Sequence, residues 1–323
     1  MKDPEGFNTE TNSRAGERLR EIAGRVRGGL EGVRDQLFAT GLELDRRRSR
    51  AQLSYAELDG ERFAYLERPG TDQTVVLLHG FTANKDIWLG YIRSLPRGLR
   101  VIAPDLKGHG DNAASLEENY GAIALLEHLT PFLDAIVGER FHLVGNSLGG
   151  LMAAGYASNA PERLLSLALF APAGHFPSEK SECFRCIEAG NNPFLISSLA
   201  DYKRFLKLTC TSDPPIPSIV FPVLAREQIA RRELHSKMWD DLMSKREPLE
   251  SRLEAITAPT LLVWGDDDQV LHPASRIFFA EHLRNVEVVR LPAGGHVPIF
   301  EHARQTADRY ARFIAGRALA PSK

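Results

Sequence analysis

Phe141-His142-Leu143-Val144-Gly145-Asn146-Ser147-Leu148-Gly149 is the stretch whose reading decides the fold. An apolar run ends in a G-x-S-x-G pattern and opens onto Leu151-Met152-Ala153-Ala154-Gly155-Tyr156-Ala157, which reads as a helix. A strand that turns abruptly into a helix brings main-chain atoms together two positions either side of the serine. No room is left there for a Cβ, and glycines at 145 and 149 remove it. The stretch therefore predicts a strand, a sharp turn with Ser147 at its apex, and a helix.

A serine hydroxyl is a poor nucleophile until a base takes its proton and donors receive the negative oxygen that forms on attack. Upstream, Val75-Val76-Leu77-Leu78-His79-Gly80-Phe81 reads as a buried strand running into a His-Gly turn. The backbone N–H of Phe81, with that of Leu148 at the helix start, is expected to form the oxyanion hole. Downstream, Leu261-Leu262-Val263-Trp264-Gly265 is a second buried strand, followed by Asp266-Asp267-Asp268. Val286-Glu287-Val288-Val289-Arg290-Leu291 then leads into Gly294-Gly295-His296. Serine, an acid after one strand and histidine after the next give the order Ser147, Asp268, His296.

These strings resemble the α/β-hydrolases, and among them the bacterial family V lipases and the animal α/β-hydrolase-domain monoacylglycerol lipases. The resemblance also rests on Lys85-Asp86-Ile87-Trp88, on Ala103-Pro104-Asp105-Leu106-Lys107-Gly108-His109-Gly110 and on Ala258-Pro259-Thr260. It runs from about Leu53 to the C-terminus. The family's acid lies three residues after the glycine of its Trp-Gly string, which selects Asp268 and leaves Asp266 and Asp267 to face solvent or cap the next turn. Some relatives carry the acid after the sixth strand, but Ala171-Pro172-Ala173-Gly174 offers no carboxylate there. Lys107 departs from the family's usual proline, in a turn away from the chemistry.

The remaining strands are expected at Arg62 to Glu67, Leu99 to Ala103 and Leu164 to Phe170. Most of these short apolar runs are bounded by Gly, Pro or Asp, as parallel strands buried on both faces require. The expected fold is a doubly wound, mostly parallel sheet with a helical cap inserted after the sixth strand. The stretch from Ala173 to Thr257 is far longer than a crossover helix needs. Expected boundaries are a leader at 1–50, a core at 51–172 and 257–323, and a cap at 173–256. The cap holds Phe176, Phe184, Phe194, Tyr202, Phe205, Phe221 and Trp239, an apolar roof suited to an acyl chain.

The chain has 323 residues, 43% hydrophobic and 25% charged, enough for a large core. A net charge of −2 gives no reason to expect nucleic acid as a partner. His79 is expected to prop the oxyanion turn by hydrogen bonding, and His109 to lie in a glycine-flanked surface loop. No His, Cys and Asp set has zinc-ligand spacing, so the chemistry is expected to need neither metal nor cofactor. Three cysteines cannot all pair, and Cys183-Phe184-Arg185-Cys186 is read as two reduced thiols on a cap helix.

At the N-terminus Leu19, Ile22, Val26, Leu30, Val33 and Leu37 recur at three- and four-residue steps, among Arg18, Arg20, Arg25, Arg27 and Arg34. Such a helix suits an anionic membrane surface, or packing onto the cap or a second subunit. Against helix stand Gly16, Gly24, Gly28, Gly29 and Gly32, each costing about 1 kcal/mol relative to alanine, so disorder is the competing expectation. No run approaches the roughly eighteen apolar residues of a membrane span, and Met1-Lys2-Asp3-Pro4-Glu5 leads into no apolar signal core. A cytoplasmic protein, peripheral on the membrane if the leader binds it, is expected.

What the resemblance implies is a carboxylic ester hydrolase acting through an acyl-enzyme on a small, acylglycerol-like ester. Two alternatives stay open. A carbon–carbon bond hydrolase of the meta-cleavage type shares the elbow and the triad, although that family usually has an aromatic residue after its histidine where this chain has Val297. A ligand-sensing protein that keeps the fold with weak turnover is the other.

Overall fold

The computed structural model describes residues 9–138, 140–214, 216–244 and 249–318, with the side chains of 9–27 and of 317 and 318 left out. A 41-residue helix, α1 (Thr9–Ser49), precedes the sheet. Strands follow at β1 (Gln52–Leu58), β2 (Glu61–Arg68), β3 (Thr74–Leu78), β4 (Arg100–Pro104), β5 (Phe141–Asn146), β6 (Leu164–Phe170), β7 (Thr260–Gly265) and β8 (Val286–Leu291). They form one sheet in the order β1-β2-β4-β3-β5-β6-β7-β8. The β1–β2 and β2–β4 pairs are antiparallel, and β4-β3-β5-β6-β7-β8 run parallel. β5 and β7 are buried at every residue, the signature of parallel strands covered on both faces. β1 was not anticipated: its half-exposed pattern at the sheet edge carries no continuous apolar run.

Helices cover both faces. On one side α2 (Leu89–Ser94) packs with the C-terminal helix α12 (Ala303–Ala318) over Val75, Leu77, Val101, Val144 and Val263. On the other, α3 (Ala122–Ile136) and α4 (Leu148–Asn159) join a larger apolar cluster with Val76, Leu78, Leu143 and Leu169. Between β6 and β7 the chain leaves the sheet and builds the roof from α5 (Glu182–Glu188), α6 (Leu199–Thr209), α7 (Phe221–Ala230), α8 (Arg232–Ser244) and α9 (Glu250–Ala255). After β7 come α10 (Ser275–His282) and, past β8, the short α11 (Pro298–Glu301).

The leader is helical from Thr9, so its glycines do not fray it. Tertiary contacts offset their cost over the second half. The Arg46 guanidinium grips the Asp86 carboxylate with two hydrogen bonds of 2.7 Å, Ser49 Oγ donates to the Leu89 carbonyl at 2.8 Å, and Arg226 on α7 pairs with Asp35. Leu30, Val33, Leu37 and Leu44 remain exposed along it. The sequence stripe at Leu19, Ile22 and Val26, with Arg18, Arg20, Arg25 and Arg27, lies outside the described side chains. Among the described residues no helix is long and apolar enough to cross a membrane.

Candidate active site

Parallel sheets gather their functional groups beyond the C-terminal ends of the strands, where the connecting loops are free of packing duty. The backbone records that use here. Thr82 after β3, Ser147 after β5, Ala171 after β6 and Ala293 after β8 all have positive φ without being glycine. Such residues each cost about 1 to 3 kcal/mol and persist only where their surroundings over-determine them.

Ser147 sits between β5 and α4 with φ 55° and ψ −117°. Its amide donates to the Phe170 carbonyl at 3.0 Å, and its carbonyl accepts from the Leu151 amide at 3.1 Å and the Ala173 amide at 3.0 Å. The flanking glycines are required by close approach. A Cβ on Gly145 would lie 2.1 Å from the Gly149 carbonyl oxygen, and one on Gly149 would lie 2.1 Å from the Leu78 carbonyl oxygen. The elbow is thus pressed against the end of β3, which carries the His79-Gly80-Phe81 turn. Gly80 faces the serine: a Cβ there would be 3.2 Å from Ser147 Cβ.

That turn is held from behind by buried polar groups. His79 Nδ1 donates to the Gly80 carbonyl at 2.8 Å, and its Nε2 accepts from the Leu106 amide at 3.0 Å. Both nitrogens are occupied by the neutral ring, and burial lowers its pKa to about 4. Lys85 is buried with Asp105 at 2.7 Å and Asp111 at 2.7 Å, while Asp105 also accepts from the Lys85 amide at 2.8 Å and the Asp111 amide at 2.9 Å. Phe81 has no main-chain acceptor for its amide among the described residues, and Leu148, as the first residue of α4, has an N–H that the helix cannot satisfy. Both expected oxyanion donors therefore flank Ser147 and line the same cavity with it.

His109 differs from its sequence reading. It is buried, not on a surface loop: its ring packs 5.2 Å from His79 and 6.1 Å from Phe81. His235 from α8 also packs on Phe81, with ring centres 5.8 Å apart. Burial lowers the pKa of His109 and of His235 to about 3. The flanking glycines suggested exposure, but the roof supplies the cover.

Asp268 and His296 meet as the chain order anticipates, with His296 Nδ1 2.9 Å from Asp268 Oδ2 and both side chains buried. The other carboxylate oxygen of Asp268 accepts from the amides of Val270 at 2.8 Å and Leu271 at 2.9 Å, which fixes the group's plane. Its neighbours are placed elsewhere. Asp266 pairs with Arg276 and Arg290, and Asp267 is exposed.

Asn146, Thr209 and Glu301 were given no role by the sequence, yet they hold the histidine loop. Asn146 Nδ2 donates to the Phe170 carbonyl at 2.9 Å and to the His296 carbonyl at 3.1 Å, tying that loop to the elbow. The His296 amide donates to the Thr209 carbonyl at 2.9 Å, at the end of α6 in the roof. Glu301 accepts from the Gly295 amide at 3.2 Å and from the Thr211 amide at 2.7 Å. The only sequence signal was the place of Asn146 inside the elbow.

Above Ser147 lies a cavity of about 460 Å³, within the size range of small-molecule sites. Phe176, Phe184, Phe194 and Trp239 of the roof line it. Tyr202 and Phe221 from the same sequence list pack in a cluster between α6 and α7, and Phe205 joins that cluster to the cavity wall through Phe194, with ring centres 5.8 Å apart. Cys183 and Cys186 both lie on α5 as free thiols, and burial pushes the pKa of Cys183 up to about 12. Among the described residues no group of three His, Cys, Asp or Glu side chains is arranged to hold a metal ion.

Comparison with known proteins agrees with this architecture. Residues 75–309 match the model of the alpha/beta hydrolase family. A monoacylglycerol lipase of Xenopus laevis is 31% identical over 277 residues, covering 82% of each chain. Lipase 3 of Moraxella sp. strain TA144 is also 31% identical, covering 83% of this chain and 87% of the other. Among solved structures, a bacterial membrane phospholipase A superposes with a TM-score of 0.87 at 34% identity, covering 95% of this chain and all of its own. The chain therefore belongs to the alpha/beta hydrolase family and is a lipase-like, ester-hydrolysing enzyme.

Proposed function

We propose that this hydrolase cleaves acylglycerol-like carboxylic esters by two-step acyl transfer through Ser147. The Ser147 hydroxyl attacks the ester carbonyl while His296 Nε2 takes its proton, and the Phe81 and Leu148 amides receive the oxyanion. Asp268 keeps the Nδ1 proton in place and stabilises the imidazolium. His296 then protonates the departing alcohol, leaving the acyl group on Ser147. Water, deprotonated by the same ring, attacks that ester, and the proton returns to Ser147 as the carboxylic acid leaves. Each oxyanion donor is worth about 3 to 4 kcal/mol at the transition state.

The observation that carries this reading is the buried His296–Asp268 hydrogen bond of 2.9 Å, on a loop that Asn146 ties to the elbow, together with the apolar cavity that Ser147 lines. The relatives' printed activities support the acylglycerol class. Turnover of p-nitrophenyl esters, monoacylglycerols and a vinylogous 1,5-diketone tests it. The esters should be preferred by at least an order of magnitude in kcat/KM, and a diketone preference would make the protein a carbon–carbon hydrolase.

We further propose that α1 rests on an anionic membrane surface. Support comes from the stripe of Leu30, Val33 and Leu37, exposed at 53, 56 and 48%, and from the arginines beside it. A triple variant, Leu30→Ser, Val33→Ser and Leu37→Ser, removes that stripe and keeps the contacts of Asp35, Arg46 and Ser49 that dock the helix. It should reduce sedimentation with anionic vesicles, most clearly at low salt, and leave soluble-ester turnover within about twofold. Unchanged sedimentation would refute the proposal.

A further inference from the structure

The cavity follows one stripe of α4. Leu148, Leu151, Met152, Gly155 and Asn159 all line it, and their three- and four-residue spacing puts them on a single helix face. Asn159 and Glu127 at the far end are exposed, and Ile123 on α3 is 48% exposed, so the cavity leaves Ser147 along the helix and opens to solvent there. Its lining is mostly apolar, with Glu127, Thr130, Asn159 and Arg252 as polar and charged members besides Ser147.

Gly155 lines the cavity between Leu148 and Asn159. Buried in mid-helix, it presents bare main chain to the cavity, and a Cβ on it would stand 3.2 Å from Leu126 Cδ2 on α3. Glycine is a poor choice inside a helix on propensity alone, by about 1 kcal/mol against alanine. A side chain at 155 would press on Leu126, which lines the same cavity from α3.

We propose that Gly155 sets the acyl-chain length this enzyme accepts, by leaving open the outer half of a channel that takes an unbranched chain of about a dozen carbons. The proposal rests on the ester-hydrolase reading above and assigns the acyl arm of that substrate to the channel. At 1.5 Å per helical residue, Gly155 lies about 10 Å from Leu148 and Asn159 about 16 Å. An extended alkyl chain advances roughly 1.25 Å per carbon on ordinary single-bond geometry. A chain with its carbonyl at Ser147 thus reaches Gly155 near its eighth carbon and the mouth near its thirteenth. Further carbons enter solvent and add nothing.

The test is kcat/KM for p-nitrophenyl esters from C4 to C16, measured for wild type, Gly155→Ala and Gly155→Leu, with a parallel series of butyrate esters of lengthening alcohols. Wild type should climb to about C12 and level off, each buried methylene adding about threefold until other steps limit. Gly155→Leu should lower the C12-to-C4 ratio of kcat/KM by about eightyfold and move the optimum to about C8. Gly155→Ala, which adds helix propensity and so keeps a folded comparison, should shift the ratio the same way by a few-fold. Unaltered ratios in both folded variants would overturn the proposal, as would a response confined to the alcohol series. If wild type hydrolyses no ester of either series, the ester-hydrolase reading itself fails, and this inference with it.

Discussion

At the C-terminal edge of the sheet, Ser147, Asp268 and His296 stand on turns fixed by main-chain hydrogen bonds. The roof from Glu182 to Ala255 is fastened at its margins and filled inside by aromatic rings. At the margins, the Cys183 amide donates to the Gln269 carbonyl at 2.9 Å, and Arg231 donates to the Gly110 carbonyl at 2.6 Å. Over the cavity, Phe81, Phe194 and Trp239 touch only as rings, with centres 5.3 to 6.1 Å apart. Directional bonds hold groups within the fractions of an ångström that proton transfer demands. Ring packing sets a shape and tolerates a change of side chain at the cost of volume. On the proposed reading the edge carries the chemistry and the cavity lining, shared by the roof with α3 and α4, the selectivity, so substitutions in the first should lower kcat and those in the second should redistribute kcat/KM among substrates.

The sharpest way to break that comparison is Asp268→Asn. The amide side chain favours the wrong imidazole tautomer, and kcat should fall by about 10⁴ with KM little changed. Asp267→Asn, on an exposed neighbour, should stay within about twofold. Similar losses at 267 and 268 would mean that the row of aspartates acts as a diffuse charge and not through one hydrogen bond.

Glu301→Gln sharpens the comparison where edge and roof meet, because Glu301 links the histidine loop to Thr211. Replacing one acceptor oxygen with a donor should cost about tenfold in kcat, with KM for a C4 ester nearly constant, as expected when a general base is misplaced and binding is not. A rise in KM alone would move Glu301 into the roof's work.

The smallest effect concerns stability. His79, His109 and His235 are held neutral by burial at pKa values of about 4, 3 and 3, whereas the unfolded chain binds a proton near pH 6.5. Between those limits the unfolded state carries more protons, so stability is full above about pH 6.5 and drains away as the pH falls toward 3 to 4. Each histidine accounts for about 2 kcal/mol of loss by pH 5. His235→Phe, which keeps a ring against Phe81, should lose less between pH 7.5 and 5 in chemical denaturation. Identical slopes would show that the roof opens before it titrates.

How much of this the sequence disclosed follows from the reach of each interaction. The elbow, the His79-Gly80-Phe81 turn and the His296 loop were legible because strand, turn and helix signals lie within a few residues of one another, whereas Asp268 was picked from its row by the resemblance to the family. Asn146 and Glu301 were not legible, since the Asn146 bond to His296 spans 150 positions and that of Glu301 to Thr211 spans 90. His109 was misread for the same reason: it packs against His79 and Phe81, and Arg231 of the roof, more than a hundred residues later, closes over the carbonyls of Gly108 and Gly110. β1 escaped because an edge strand with one wet face has no run of apolar residues. In the leader, the glycine count argued for fraying, while the anchors at Asp86 and Arg226 lie in other parts of the chain. Of the seven cap aromatics, those over Ser147 could not be told by pattern from those packed between α6 and α7.

The central claim is that Ser147 becomes acylated, and intact-protein and peptide mass spectrometry after brief mixing with a fluorophosphonate and, separately, with a p-nitrophenyl ester tests it most directly. The account predicts one phosphonate per chain, located on Ser147, an ester burst of about one p-nitrophenolate per active site where deacylation limits turnover, and neither signal in Ser147→Ala. Labelling of another residue, or a label and burst that survive Ser147→Ala, would contradict it.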